Sequence, residues 1–158
     1  ALEGDADAAQ ALVNDALSLI EPRQERPDFY KAAALAYSTM GGLAEQRGDL
    51  DAAESWHTRA FRRLGSGLIS DNQALAALLE GRATLDVARG DHARAAELLG
   101  MARTLRGFPR PPASPEPSCF DAHRAEEAAR AALGPDGFDS AYERGRRADR
   151  DEAWALCK

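Results

Sequence analysis

Three Gly-Asp pairs punctuate the chain, at Gly4-Asp5, Gly48-Asp49 and Gly90-Asp91, and in each case alanine falls five and twelve residues after the glycine. The pairs stand 44 and 42 residues apart, a spacing that marks an array of two-helix units. Each residue of the signature has a physical task. Glycine reaches positive φ and ends one helix as its C′ residue. The aspartate after it caps the next helix by accepting free N–H groups. Arg47 and Arg89, just before two of the glycines, set a cation at the negative end of the first helix dipole. The alanines, seven apart, share one face and let neighbouring helices approach closely.

Arg-Gly-Asp, present twice, is also an adhesion signal, but a three-residue match is weak without a secretory context. The opening ALEGDADAAQ has no charged n-region followed by an apolar core, so it is not a signal peptide. It also has no methionine, which points to an excised fragment. The tripeptide therefore reads as a helix–turn–helix elbow.

Composition agrees with helices. Alanine, leucine, glutamate and arginine dominate, while isoleucine occurs only at Ile20 and Ile69 and valine only at Val13 and Val87. Scarce β-branched residues disfavour strands, and no sheet is expected. With 158 residues the chain suffices for one domain burying about 68–70% of its unfolded surface. A formal charge of −6 and a pI near 5.1 argue against binding a nucleic-acid backbone. No apolar run of about 18 residues spans a membrane. Two cysteines, Cys119 and Cys157, form neither a disulfide framework nor a CxxC metal site, and favour a reducing, cytoplasmic setting. The Ala- and Arg-rich usage, with lysine only at Lys31 and Lys158, fits a GC-rich bacterial gene.

The repeat resembles the tetratricopeptide (TPR) unit, in which a Gly-Asp or Gly-Asn turn joins helix A to helix B. The second unit carries the likeness best: Tyr37, Met40, Gly41 and Ala44 precede its elbow in step, and Ala53, His57 and Ala60 follow, with His57 where the motif usually has an aromatic. In the third unit Leu79, Ala83, Ala95, Leu99 and Ala102 fit, but Arg82 and Asp86 replace apolar residues. The first unit, with its turn at Gly4, has a helix B and no helix A, so the protein is expected to continue upstream. The resemblance implies an all-α fold of TPR-like helical-hairpin repeats forming a right-handed superhelix.

The expected helices are Asp5–Leu19, then Pro27 to Arg47, Leu50–Leu64, Asn72–Arg89 capped by Asp71, and His92–Arg106. The repeats thus fill residues 1–107. A Pro-rich connector follows over 108–118 (GFPRPPASPEPS, counting from Gly107), read as an extended linker in preference to a PxxP ligand. Residues 119–158 supply capping helices: one over 118–133 that starts at Ser118 or Asp121 and ends at Gly134-Pro135, then Pro135–Arg147 and Asp149–Cys157. Phe138 and Tyr142, four apart, share a face and pin this end to the array.

The tail AARAALGPDGFDSAYERGRRADRDEAWAL, Ala128–Leu156, resembles the C-terminus of large bacterial transcriptional regulators. Two groups share such tails: SARP-type activators with a bacterial transcriptional activator domain, and large ATP-dependent LuxR-type regulators. AELLGMARTLRG, Ala96–Gly107, is similar to the repeat that precedes those tails. The chain departs from them at Arg147 and in the proline connector. The resemblance implies a protein-interaction or sensory domain that gates upstream ATPase and DNA-binding parts.

Catalytic signatures are missing: GxxxxGK[ST], G-x-G-x-x-G, G-x-S-x-G and H-E-x-x-H do not occur. Cys119, His123 and Glu127 fall on one helix at i, i+4, i+8, but successive ligands about 6 Å apart need a second element to enclose zinc. They read instead as a half-buried cysteine beside surface residues. His57 is expected to pack between helices, His92 to sit at a helix start, and Trp56 and Trp154 to anchor the core. No catalytic residue, cofactor or metal is expected, nor direct nucleic-acid contact. The repeat geometry, carried over from TPR arrays, puts Ser38, Glu45, Gln46, Glu80 and Thr84 on a concave face for a protein or peptide, or for other domains of the same regulator. A stand-alone TPR adaptor is the alternative. An enzyme would instead need a deep pocket with convergent titratable groups.

Overall fold

The computed structural model describes residues 2–20, 22, 26–67, 71–107 and 117–156, and among them the chain is all-α, with no strand. Seven helices follow in order: α1 (Leu2–Ile20), α2 (Pro27–Gln46), α3 (Leu50–Gly65), α4 (Asn72–Ala88), α5 (His92–Arg106), α6 (Pro117–Arg147) and α7 (Arg150–Ala155). None of these helices is long and apolar enough to cross a membrane.

Two elbows have the geometry the repeat demands. Gly48 and Gly90 take φ of +76° and +83°. The Gly48 N–H donates to Glu45 O at 2.9 Å and that of Asp49 to Ala44 O at 3.0 Å; Gly90 and Asp91 make the equivalent bonds to Val87 O and Asp86 O. This paired closure is a Schellman motif. Each aspartate then turns its side chain forward, Asp49 accepting from Ala52 N at 3.0 Å and Asp91 from Arg94 N at 3.2 Å. The helices on either side consequently fold into the hairpins α2–α3 and α4–α5. The four alanines after these elbows, Ala53, Ala60, Ala95 and Ala102, are almost wholly buried.

The elbow arginines do more than face a dipole. Arg47 reaches back to α1, pairing with Asp7 at 2.7 Å and donating to Gln10 at 2.9 Å. Arg89 reaches back to α3, to Asp51 at 3.2 Å, the Leu50 carbonyl at 3.1 Å and Glu54. Asp7 and Asp51 stand three residues after the glycines of their Gly-Asp pairs, and Gln10 and Glu54 stand six after. The same contact therefore recurs between successive units. Such exposed pairs contribute at most about 1 kcal/mol each, so they fix register more than stability.

Gly4-Asp5 departs from expectation: it lies inside α1, which already begins at Leu2, and makes no elbow. Glycine there takes an ordinary helical position at a cost of about 1 kcal/mol. On α1, Leu12 is 70% and Leu19 64% exposed. Pro117 and Ser118, read as connector, belong to the start of α6. Proline fits a first helical turn because its missing N–H would go unpaired there anyway. The remainder of the proline connector, 108–116, lies outside the described residues, as does the expected end of the last helix at Cys157.

Where apolar residues were expected, Arg82 and Asp86 pair with each other at 3.2 Å. Arg82 also meets Glu54 of α3 at 2.8 Å, while Arg94 of α5 stands 3.2 Å from the second Asp86 oxygen. Three helices are tied by this cluster. Asp86 is nearly inaccessible, and burial pushes its carboxyl above the usual range against the opposing pull of Arg82 and Arg94.

The C-terminal segment closes the array. α6 contains one non-helical residue, Gly134 (φ 70°, ψ 169°), so it is two straight stretches joined at the expected Gly-Pro break. It packs on α4 and α5. Phe138 is fully buried with Ala96, Ala129 and Ala141, and its ring stacks on Tyr142 at 5.4 Å. Two glycines let α5 and α6 touch backbone to backbone. A Cβ on Gly100 would strike the carbonyl of Tyr142, and one on Gly145 the carbonyl of Glu97. α7 starts with a capping box between Asp149 and Glu152, and Trp154 Nε1 donates to Asn72 Oδ1 at 3.2 Å. That bond ties the tail to the start of α4.

Two outcomes are expected. Gly100→Ala and Gly145→Ala should each lower stability in urea by about 1–3 kcal/mol, because the obstruction is backbone and cannot swing aside. Gly42→Ala, where a Cβ meets nothing, should be neutral or stabilise by up to about 1 kcal/mol. The second concerns pH. Folded Asp86 holds its proton to a higher pH than unfolded Asp86, so it disfavours folding progressively as pH rises from 3.8 through its folded value. Across that window wild type should lose stability relative to Asp86→Asn, with a limiting slope of about 1.4 kcal/mol for each pH unit climbed. A flat difference would show that the arginines cancel the burial.

Candidate functional site

Helices α2 and α4 run alongside each other as the first helices of successive hairpins, and a trough lies between them. Its two halves have volumes of about 310 and 270 Å³. Gly42, Gln46 and Thr84 line both, so the trough is continuous. Leu35, Ser38 and Thr39 extend it along α2, and Ala77 and Gly81 along α4. At the other end Arg124, Ala125 and Ala128 of α6 form a wall.

The lining follows the repeat. Leu35 and Ala77 occupy one repeat position, Thr39 and Gly81 another, Gly42 and Thr84 a third, and Gln46 and Ala88 a fourth, each pair 42 residues apart. Small residues at these positions hollow the trough. Ser38, Glu45, Gln46 and Thr84, four of the five residues expected on a concave face, line this trough. The Thr84 hydroxyl donates to Gly81 O at 2.6 Å, a local bond within its helix.

Glu80 does not join them. It is 9% exposed and held by Arg106 of α5 through two hydrogen bonds of 2.9 and 2.7 Å. It faces a smaller depression between α4 and α6, of about 120 Å³, together with Leu99, Arg103, His123 and Tyr142. The physical reason is the repeat itself. Ser38 and Glu80 are the same position in successive units; Ser38 looks into the α2–α4 junction, and Glu80 into the α4–α6 junction.

Sequence reasoning placed His57 between helices but missed that it floors the trough. The imidazole is 1% exposed, and Nε2 stands 2.8 Å from Glu45 Oε1. It fits because α2 and α4 carry glycines against it: a Cβ on Gly41 would lie 2.5 Å from Nε2, and one on Gly81 3.2 Å from Cε1. A carboxylate only accepts, so Nε2 carries the proton shared with Glu45. The other ring nitrogen, Nδ1, is buried and meets no hydrogen-bond partner among the described residues. The signal was present in the sequence: nine residues past the three glycines stand Val13, His57 and Leu99, two apolar residues and one imidazole.

Nearby aromatic and charged groups are occupied. Trp56 stacks on Tyr37 at 5.8 Å, with the Arg59 guanidinium 4.6 Å from the Trp56 ring and 4.8 Å from that of Tyr37. Lys31 meets Asp71 at 2.8 Å, and that bond holds the Asp71 carboxyl below its usual range. Asp71 also caps α4 through Ala74 N at 2.9 Å, as expected. His123 and Glu127 form an exposed pair at 3.3 Å, and the Cys119 side chain lies outside the described residues. Among the described residues no three potential ligands gather as a metal site would require.

No protein-family model matches the chain, and no curated protein or solved structure is significantly similar to it.

Gly41→Ala should drive the imidazole from its seat and break its bond to Glu45. The expected cost is about 1–3 kcal/mol in thermal unfolding, against none for the adjacent Gly42→Ala. Equal stabilities would mean that His57 is not wedged as described.

Proposed function

We propose that this chain is a non-catalytic, TPR-like helical-repeat domain that holds a peptide, or another domain, in the trough between α2 and α4. The observation that carries the reading is the trough's construction from repeat-equivalent positions on the first helix of two successive hairpins. Repeat arrays of this kind present extended binding faces. Apolar lining from Leu35, Leu43, Ala77 and Val87 supplies contact area, while Ser38, Gln46 and Thr84 supply hydrogen bonds. The elbows and their back-reaching arginines support TPR-like stacking of the units in a right-handed superhelix.

The tail resemblance over Ala128–Leu156 supports placing this domain in a bacterial transcriptional regulator of the SARP or LuxR type. There, binding in the trough would gate ATPase and DNA-binding parts by favouring one conformation of the array. A reading frame that continues upstream of Ala1 into those parts is the expected result of sequencing the gene. A start codon within one helix of Ala1 would remove the regulator and leave an adaptor.

The interaction reading is tested by selecting a displayed library of random peptides against the full chain. Selected peptides should bind at least about tenfold more weakly to Thr84→Trp, whose indole fills the trough, with the unfolding midpoint unchanged. An absence of binders, or binders indifferent to Thr84→Trp, would overturn it.

A further inference from the structure

Arg82 and Asp86 stand at α4 positions that hold Met40 and Ala44 one unit earlier. A buried ion pair is often no more stabilising than apolar residues of similar volume, so stability alone does not account for the change. Arg82 also lines a cavity of about 200 Å³ that α3 and α5 border. Thr58 and Arg62 of α3 and Arg94 of α5 give it further polar lining, and Phe61, Leu98 and Leu156 an apolar side. Among the described residues no carboxylate lines it, although the chain carries 26 acidic residues against 20 basic ones. No residue lines both this cavity and the trough.

The donors here are accessible and largely uncommitted. Arg62 is exposed, and the Arg94 side chain is 51% exposed. Among the described residues neither the Arg62 guanidinium nor the Thr58 hydroxyl meets a partner. Arg94 acts on Asp86 through charge alone: its Nε stands 3.2 Å from Oδ2, yet no hydrogen bond reaches that oxygen among the described residues. Arg82 turns Nε to Asp86 and one Nη to Glu54, which leaves its other Nη.

Three guanidiniums beside apolar side chains suit a ligand with an anionic head and an apolar body. Guanidinium forks fit carboxylate and phosphate alike. Asp86 and Glu54 decide between the two. A phosphate monoester would bring a charge of about −1.5 to −2 close to these carboxylates, whereas a monocarboxylate brings a single charge. The cavity is smaller than the roughly 300–1,000 Å³ of sites for drug-sized ligands, so the apolar body is short.

We propose that this cavity binds a short-chain aliphatic carboxylate, its head held by Arg62, Arg94 and the Thr58 hydroxyl and its chain laid against Phe61, Leu98 and Leu156. Such a ligand touches α3 of one hairpin and α5 of the next at once. It adds a small-molecule site to the peptide reading and does not depend on it.

The test titrates the full chain with sodium hexanoate by calorimetry and follows the arginine side-chain Nε resonances. Saturable binding with a dissociation constant of about 1 mM or below is expected, within reach of so small a ligand. The Nε resonances of Arg62 and Arg94 should move. Arg62→Gln should weaken binding about tenfold, and Leu156→Asp, which sets a carboxylate beside the ligand, by as much or more. Thr84→Trp should leave it unchanged. Hexan-1-ol, with the same chain and no charge, should bind at least about tenfold more weakly. The site is overturned if hexanoate shows no saturable binding in the millimolar range, if the alcohol binds as well, or if Arg62→Gln and Leu156→Asp both bind as wild type does. Loss on Thr84→Trp would overturn it too, by placing the ligand in the trough. Tighter binding of hexyl phosphate would overturn the assignment to a carboxylate.

Discussion

Everything in this fold depends on a backbone conformation that only glycine adopts freely. At Gly48 and Gly90 the chain turns left-handed, closes one helix with two main-chain bonds and hands the next to an aspartate cap. The turn is so short that consecutive helices have no choice but to pack side by side. Buried alanines at fixed offsets then set how closely they approach. Because the same turn recurs, so do the junctions between units, and with them the trough. The trough is thus a product of the repeat, with its chemistry set by a few substitutions within it.

Those substitutions share a logic. Where the second unit has Met40 and Ala44, the third has Arg82 and Asp86, and the polar pair knits α3, α4 and α5 together. Where the first and third units have Val13 and Leu99, the second has His57. In the first case each buried charge meets an opposite one, as the cost of burying charge requires. In the second, one side of the ring is satisfied and the other is not. Asp86 Oδ2 and His57 Nδ1 both stay buried without a hydrogen-bond partner among the described residues, so the pairing at each polar site is partial.

Much of this was legible in the sequence because it is local. Asp49, Asp71 and Asp91 cap as their positions dictate, and α5 begins at His92 and ends at Arg106 as its flanking residues require. Gly134-Pro135 breaks the long helix where both residues say it should. Gly4-Asp5 departs from the pattern by lying inside α1 instead of at an elbow. Glu80 departs for a tertiary reason. Its repeat position was assigned correctly, but which neighbour covers that position depends on α6, a helix much later in the chain. The arrival of Arg106 beside it is likewise a tertiary event. The glycine crossing at Gly100 and Gly145 left no periodic mark, since close backbone approach involves two distant residues at once.

That crossing reaches as far as the trough. The second stretch of α6 is fastened to α5 where neither helix has a side chain to slide upon, while the first stretch supplies the wall at Arg124, Ala125 and Ala128. Between fastening and wall stands a single non-helical residue, Gly134. The wall is therefore held twice over, by the burial of Ala125 and Ala129 against the array and by a joint of one residue to the fastened stretch.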